Sequence, residues 1–288
     1  MSKGRIHNSI GGNFAVMTDQ GSVFCRARGL FRKQGLTPLT GDYVTIEDFG
    51  DGEGYILDIA PRKNELRRPP VANLDQLFLL SSMRKPRPNL QLLDTLIATA
   101  ELAGITPVIV FTKCDLEDGA ALAEIYRHCG YQCFAIDQQS DTGEIAALLA
   151  NKTSTFCGNT GVGKSTLLNA IAPDLKLPVG DISEKLGRGR HTTRHVELFP
   201  AAGGWVADTP GFAFFDALEL TKDNLAEGFR EFAEYAGRCR FDDCAHAKDS
   251  GCAVITAVQA GEIARSRHES YVALYEELKN KKEWENRQ

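Results

Sequence analysis

The spacing of apolar positions changes character along this chain. Through residues 1–68 they alternate with polar ones in short runs, at 13–19, 22–29, 42–49 and 54–60, separated by glycine-containing turns. A period of two marks a strand with one face on a core, so several such runs in so short a segment predict a small β-barrel. An OB-like barrel is the first expectation, with an SH3-like barrel or an irregular β extension as alternatives. Residues 62–73 carry a proline pair and suit a linker. The pattern then becomes strand and helix in turn. Residues 74–82, centred on the continuous apolar run 77–80, read as a strand buried on both faces of a parallel sheet. Leucines and isoleucine fall at helical spacing over 89–104, with Gly104 as a C-cap. Further strands are predicted at 107–112, 131–136 and 153–157, with helices at 120–130 and 142–150. A hairpin is expected from 195–200 and 204–208. This order predicts a doubly wound α/β domain. From about residue 218 the chain reads as polar and helical around a cysteine-rich knot. It closes on a charged amphipathic helix, 269–288, whose lysines and glutamates suit a solvated face.

Composition narrows the function classes. A formal net charge of −5 excludes a general cationic coat for nucleic acid, so any such partner must be met by local basic patches. The N-terminal segment lacks an apolar stretch of signal-peptide length, and no run of about 18 apolar residues occurs. A cytoplasmic protein is the expectation, with no membrane partner. The 8 cysteines then suggest reduced thiols or metal ligands. Cys25, Cys114, Cys129, Cys133 and Cys157 lie mostly in apolar strands or helix ends and read as small buried hydrophobes.

Three short motifs carry chemistry. Gly158, Asn159, Thr160, Gly161, Val162, Gly163, Lys164 and Ser165 fit G-x-x-x-x-G-K-[ST] between a predicted strand and helix, and Thr166 continues into the helix. Such a loop points backbone N–H groups and a helix dipole at phosphates. Lys164 suits the β and γ phosphates, and the Ser165 hydroxyl suits Mg²⁺. Asp208 ends a strand and opens D-T-P-G. It is placed to hold Mg²⁺ through water, and the Gly211 N–H to sense the γ-phosphate. On its own that tetrapeptide could be a plain β-turn. Thr112, Lys113, Cys114 and Asp115 follow another buried strand. A carboxylate at Asp115 can accept from both N1–H and the exocyclic amine of guanine, a donor pair adenine lacks. Ordinary GTPases carry asparagine where Thr112 stands. Here the base-reading loop precedes the phosphate loop, the reverse of the ordinary order. A doubly wound sheet depends on spatial neighbours, so joining the old ends at an exposed loop preserves it. The order therefore predicts a circularly permuted GTPase domain.

Cys239, Cys244, His246 and Cys252 give C-x₄-C-x-H-x₅-C, a set able to close a tetrahedral zinc site with no position left for catalysis. Between the phosphate loop and the hairpin lies a basic segment, 184–195, where a first switch belongs. There Thr192 or Thr193 can complete Mg²⁺ coordination, although a flexible polar loop would look the same.

Order, flanks and motifs together resemble the RsgA (YjeQ) family of ribosome small-subunit-dependent GTPases over nearly the whole chain. The resemblance implies a multidomain α/β protein: an OB-fold RNA-binding barrel at 1–68, a circularly permuted P-loop GTPase domain at 69–217 and a zinc-binding helical domain at 218–288. It implies GTP and GDP with Mg²⁺, one structural Zn²⁺ on the four ligands named, a catalytic role for His191, and late maturation of the 30S subunit through its 16S rRNA. A monomer is expected. The second base-side loop departs from the family pattern, falling near Ile136-Asp137-Gln138. Two rivals stand beside this reading: a kinase or ATPase on the same scaffold, and a non-catalytic RNA-binding module whose nucleotide site signals occupancy. Phe212 supports the latter, because fast GTPases place a water-orienting glutamine after D-x-x-G.

Overall fold

The computed structural model describes residues 1–33, 35–66, 69–173, 196–208 and 220–285. In chain order the strands are β1 Ser2–Ile10, β2 Asn13–Thr18, β3 Gly21–Ala27, β4 Tyr43–Asp48, β5 Glu53–Ile59, β6 Glu65–Leu66, β7 Val71–Ala72, β8 Gln76–Ser82, β9 Thr106–Thr112, β10 Gln132–Ala135, β11 Thr153–Cys157, β12 Glu197–Ala201 and β13 Gly204–Asp208. The helices are α1 Gly29–Lys33, α2 Leu90–Leu102, α3 Ala120–His128, α4 Gly143–Ala147, α5 Lys164–Ile171, α6 Ala253–Ala260 and α7 Arg265–Glu285. Two 3₁₀ turns, Leu225–Gly228 and Arg230–Tyr235, precede α6. The chain divides into two compact units, Met1–Leu77 with Asp141–Ala217, and Phe78–Ser140 with Leu218–Gln288.

The first unit opens with a closed barrel. β1 pairs antiparallel with β2, β2 with β3, and β4 with both β5 and β1, while β3 and β5 run parallel. The order 1-2-3-5-4, returning to 1, is that of an OB-fold and decides between the barrels the sequence left open. Its core is the inward set Ile6, Val16, Cys25, Val44, Ile46 and Ile56. β1 was not among the alternating runs because its residues are mostly polar.

The predicted linker is more ordered than its prolines suggest. β6 and β7 form a two-stranded hairpin that buries Leu66 and Val71. Arg62 pairs twice with the fully buried Asp42, Nε to Oδ1 and Nη2 to Oδ2, each at 2.8 Å. Asn64 holds Leu74 by donating to its carbonyl at 2.8 Å and accepting from its N–H at 2.9 Å.

In the same unit β13 lies between β11, to which it is parallel, and β12, to which it is antiparallel. β12 reaches the barrel through the register Asn8↔Glu197, and the Thr40 hydroxyl donates to the Val196 carbonyl at 3.0 Å. The Asp75 carboxylate accepts from the Thr153 N–H at 2.7 Å, and Gln76 donates to Ser154 Oγ at 2.8 Å, so residues 75 and 76 are held to β11 within this unit.

The second unit holds the strand order β10-β9-β8, with β9 and β10 parallel. Asn89 caps α2 by accepting from the Leu92 N–H at 3.0 Å. Helix α2 packs on α7 and on the first 3₁₀ turn, over a core of Phe229, Phe232, Val254, Tyr271 and Leu274. Within it Arg267 is 1% exposed and donates to Asp94 and Glu231, with its guanidinium 4.6 Å from the Phe229 ring centroid. Burial alone would depress its pKa, but Asp94 and Glu231 raise it well above the ordinary value.

Cys25, Cys129, Cys133 and Cys157 are buried, as the apolar context predicted, and burial pushes the thiols up to about 11, 12, 12 and 12 respectively. Cys114 is only half-buried. Among the described residues no helix is long and apolar enough to cross a membrane.

Candidate functional site

In the first unit, β11 is buried along its whole length and ends at Cys157, where the phosphate loop begins. Gly161 and Gly163 take φ of 78° and 98°, left-handed values that a side chain rarely adopts, and Gly163 is the N-cap of α5. The loop then turns directly into the helix, with the Leu167 N–H donating to the Gly163 carbonyl at 2.9 Å. Lys164 folds back so that its ammonium donates to the carbonyls of Gly158 and, at 3.0 Å, Asn159. A cation is thus held over a loop whose next element presents the positive end of a helix, an arrangement suited to a polyphosphate. Ser165 is buried at the first turn, while Thr160 and Thr166 are exposed. β13 ends with the backbone of Asp208 at the same edge as the loop, one residue beyond Ala207, which pairs in parallel with Thr155 of β11. His191, Thr192, Thr193, Gly211 and Phe212 lie outside the described residues.

In the second unit, β9 is buried from Pro107 to Thr112 and delivers the T-K-C-D segment at its carboxyl end. Thr112 is buried, and its carbonyl accepts from the Met83 N–H at 2.9 Å. Lys113 has φ of 58° and donates through Nζ to the Lys85 carbonyl. The Cys114 N–H donates to the Ile136 carbonyl at 3.1 Å, and the Leu116 N–H to Lys113 at 3.0 Å, leaving the Asp115 side chain exposed between these bonds. Cys114 Sγ meets the Phe111 carbonyl at 3.5 Å, and a Cβ on Gly119 would come within 2.9 Å of that sulfur. The thiol therefore packs inward and anchors the loop.

The same contacts hold the segment expected to be the second base-side loop against the T-K-C-D segment. Ile136 is bonded to both Phe111 and Cys114, and Asp137 closes a turn by accepting from the Gln139 N–H at 2.9 Å and from Ser140 Oγ at 2.8 Å. The Ser140 hydroxyl bond holds the half-buried Asp137 carboxyl below the usual carboxylate range. Ser140 was absent from the sequence reading. Its signal was the Asp-x-x-Ser spacing of a side-chain-bonded turn.

The four predicted metal ligands come together, also in the second unit. The ligand atoms of Cys239, Cys244, His246 and Cys252 all lie within 4.8 Å of one another. Cys239 Sγ and Cys252 Sγ are 3.9 Å apart, and each is 3.5 Å from His246 Nδ1. A tetrahedral centre with metal–sulfur bonds of about 2.3 Å needs sulfurs about 3.8 Å apart, so the cluster fits one metal ion. Outer contacts hold the knot: the Ala253 N–H donates to Cys239 Sγ at 3.3 Å, His268 Nε2 lies 2.8 Å from the His246 carbonyl, and the Tyr271 hydroxyl donates to the Ala245 carbonyl at 2.7 Å.

Comparison with known proteins identifies the family of the chain. Residues 59–218 match the model of the RsgA GTPase, and residues 3–56 that of the RsgA N-terminal domain. The chain is 46% identical to the small ribosomal subunit biogenesis GTPase RsgA of Geobacillus thermodenitrificans, covering 98% of this chain and 99% of that protein. It is 41% identical to the protein of that name in Bacillus subtilis, over 98% and 99%. The crystal structure of YloQ, a circularly permuted GTPase, superposes with a TM-score of 0.82 at 37% identity, covering 98% of this chain and 96% of that one. YjeQ from Thermotoga maritima gives 0.81 at 32% identity, over 96% and 98%.

Proposed function

The chain belongs to the RsgA family of circularly permuted GTPases, and from that premise we infer that it hydrolyses GTP to GDP and phosphate in the biogenesis of the small ribosomal subunit. The observation that carries this reading is the complete phosphate loop, with Lys164 held over its carbonyls at the mouth of α5. In this reading Gly158 to Thr166 hold the phosphates, and Lys164 moves from the loop carbonyls to the β and γ oxygens. Asp115 reads guanine through two accepted hydrogen bonds, Lys113 packs along the purine, and Thr112 and Cys114 fix the loop. Mg²⁺, which spreads the charge of the β and γ phosphates when bound, would be held by Ser165, Asp208 and Thr192 or Thr193. Gly211 senses the γ-phosphate, and His191 helps position the attacking water. Zn²⁺ is the metal that three thiolates and an imidazole suit best, in a structural role.

The partners in this reading are the 30S subunit and its 16S rRNA, met by the barrel, by the basic segment 184–195 and by the zinc module, in the cytoplasm. Phe212 has no group to orient a water, and a missing group supplied in trans is worth roughly 10³–10⁵ in rate in known GTPases. Hydrolysis by the isolated chain should therefore be slow and rise sharply with purified 30S subunits. It should respond little to 50S subunits, and the stimulation should fall as salt screens RNA contacts. His191→Ala should blunt the stimulation while sparing nucleotide affinity. Equal rates with and without 30S subunits at low salt would instead favour a sensor of nucleotide occupancy.

A further inference from the structure

The outward face of the barrel carries a cleft of about 380 Å³ with an unusual lining. Alternation along β3 turns Val23 and Cys25 into the core and Phe24 and Arg26 outward. The parallel register then sets Phe24 beside Glu53 and Arg26 beside Tyr55, and the β2–β3 register sets Asn13 beside Arg26. Phe49, from the β4–β5 connection, meets Tyr55 edge-on with ring centroids 5.4 Å apart. Three aromatic side chains are thus gathered in one place and left open, Phe24 at 64%, Phe49 at 51% and Tyr55 at 38% exposure. Behind the cleft the strands leave no room for a side chain: a Cβ on Gly54 would point inward, 2.4 Å from the Glu47 carbonyl oxygen and 3.3 Å from the core sulfur of Cys25.

We propose that this cleft receives one unstacked base of single-stranded RNA, with a preference for bases that carry an exocyclic amine. The aromatic faces supply stacking, which accepts any base. Arg28, 5.9 Å from the Tyr55 ring centroid and paired with Glu47 at 2.7 Å, and Arg26 supply cationic groups for the flanking phosphates. Glu53 is the carboxylate in the lining, and it can only accept. It suits the N4 amine of cytosine, whereas uracil presents an acceptor at that position. Asp48 and Asp51 are turned to backbone N–H groups of their own loop, Gly50 at 2.8 Å and Glu53 at 3.0 Å. Their charge disfavours phosphate at that end of the cleft, so the base and not the backbone passes beside Glu53. An OB-fold commonly binds oligonucleotides on this face, between the 1–2 and 4–5 connections. The proposal rests on the reading of the barrel as an RNA-contacting module.

The test is fluorescence anisotropy of labelled hexacytidylate and hexauridylate with the full chain at low salt. Hexacytidylate should bind about tenfold more tightly. Phe24→Ala removes an exposed ring without touching the core and should weaken both RNAs at least about fivefold. Glu53→Gln should level the two affinities, since an amide can also donate to uracil. Unchanged binding in Phe24→Ala would overturn the cleft as the site, and a cytosine preference surviving Glu53→Gln would overturn the base reading. If neither hexamer binds while Phe24→Ala still weakens association with 30S subunits, the occupant is not an unstacked base of single-stranded RNA and the proposal is wrong. Stimulation by 30S subunits is measured beside these: hexamer effects without stimulation retain the cleft and remove the ribosomal GTPase reading, and the converse removes the cleft alone.

Discussion

Asp115 does its work on the reading above only because its neighbours are all engaged. Thr112 is buried, Lys113 is turned by its positive φ, and Cys114 is bonded inward. The motif was legible as four consecutive letters, and so was the departure at Thr112. What the letters did not carry was the left-handed backbone of Lys113 or the Ile136 carbonyl that fixes Cys114, because both depend on a strand reached later in the chain. Replacing Asp115 by Asn should reduce GTP affinity about a hundredfold or more, because guanine's two donors would face an amide that offers one acceptor and a clashing donor. Affinity for xanthosine triphosphate should rise in relative terms, since xanthine presents an acceptor where guanine has its amine. Calorimetric titration of both nucleotides checks this, and equal affinity of the unmodified chain for GTP and ATP would refute the role given to Asp115.

Elements built from local sequence were the most legible ones. The phosphate loop and the metal knot each draw their groups from one short stretch, so spacing alone reveals them. The barrel was half legible: alternation found four of its strands, but the polar β1 and the parallel β3–β5 pair that closes it are decided by tertiary neighbours. The knot also has outer support that spacing could not show, because His268 and Tyr271 come from α7. Metal in this knot should therefore order more than its own loop. Cys252 is the N-cap of α6 and Cys239 accepts from the Ala253 N–H, so removing the ion should fray the start of that helix. Elemental analysis should find about one zinc per chain. Cys244→Ala should lose it and speed amide exchange through the knot and the start of α6, while GTP affinity holds. Full zinc content in Cys244→Ala would show that the ligand set is wrong.

At the scale of the whole molecule, the reversed motif order is a rearrangement of chain ends. It also leaves α2, at the beginning of the GTPase segment, to be packed by elements from the far end of the chain. The node of that packing is Arg267, whose partner Asp94 is 173 residues away. Asp94 also accepts from the Tyr126 hydroxyl at 2.9 Å, and Glu231 receives Arg267 Nε at 2.7 Å. Sequence gave no sign of this, because one buried arginine at the head of a charged helix has the same letter as a solvated one. Its energetics follow from desolvation. Three charges have been taken from water, and each is tolerable only while the others remain. Arg267→Met should thus cost about 3–5 kcal/mol, most of it from leaving Asp94 and Glu231 buried without a counter-charge. The triple variant Asp94→Asn, Glu231→Gln, Arg267→Met removes those charges, and Asn keeps an acceptor for Tyr126. It should recover most of the loss. Thermal unfolding of the three proteins separates the cases. Arg267→Met as stable as the parent would mean that the node contributes nothing. A triple variant no better than the single would mean that packing around the guanidinium, and not its charge, is what joins α2 to α7.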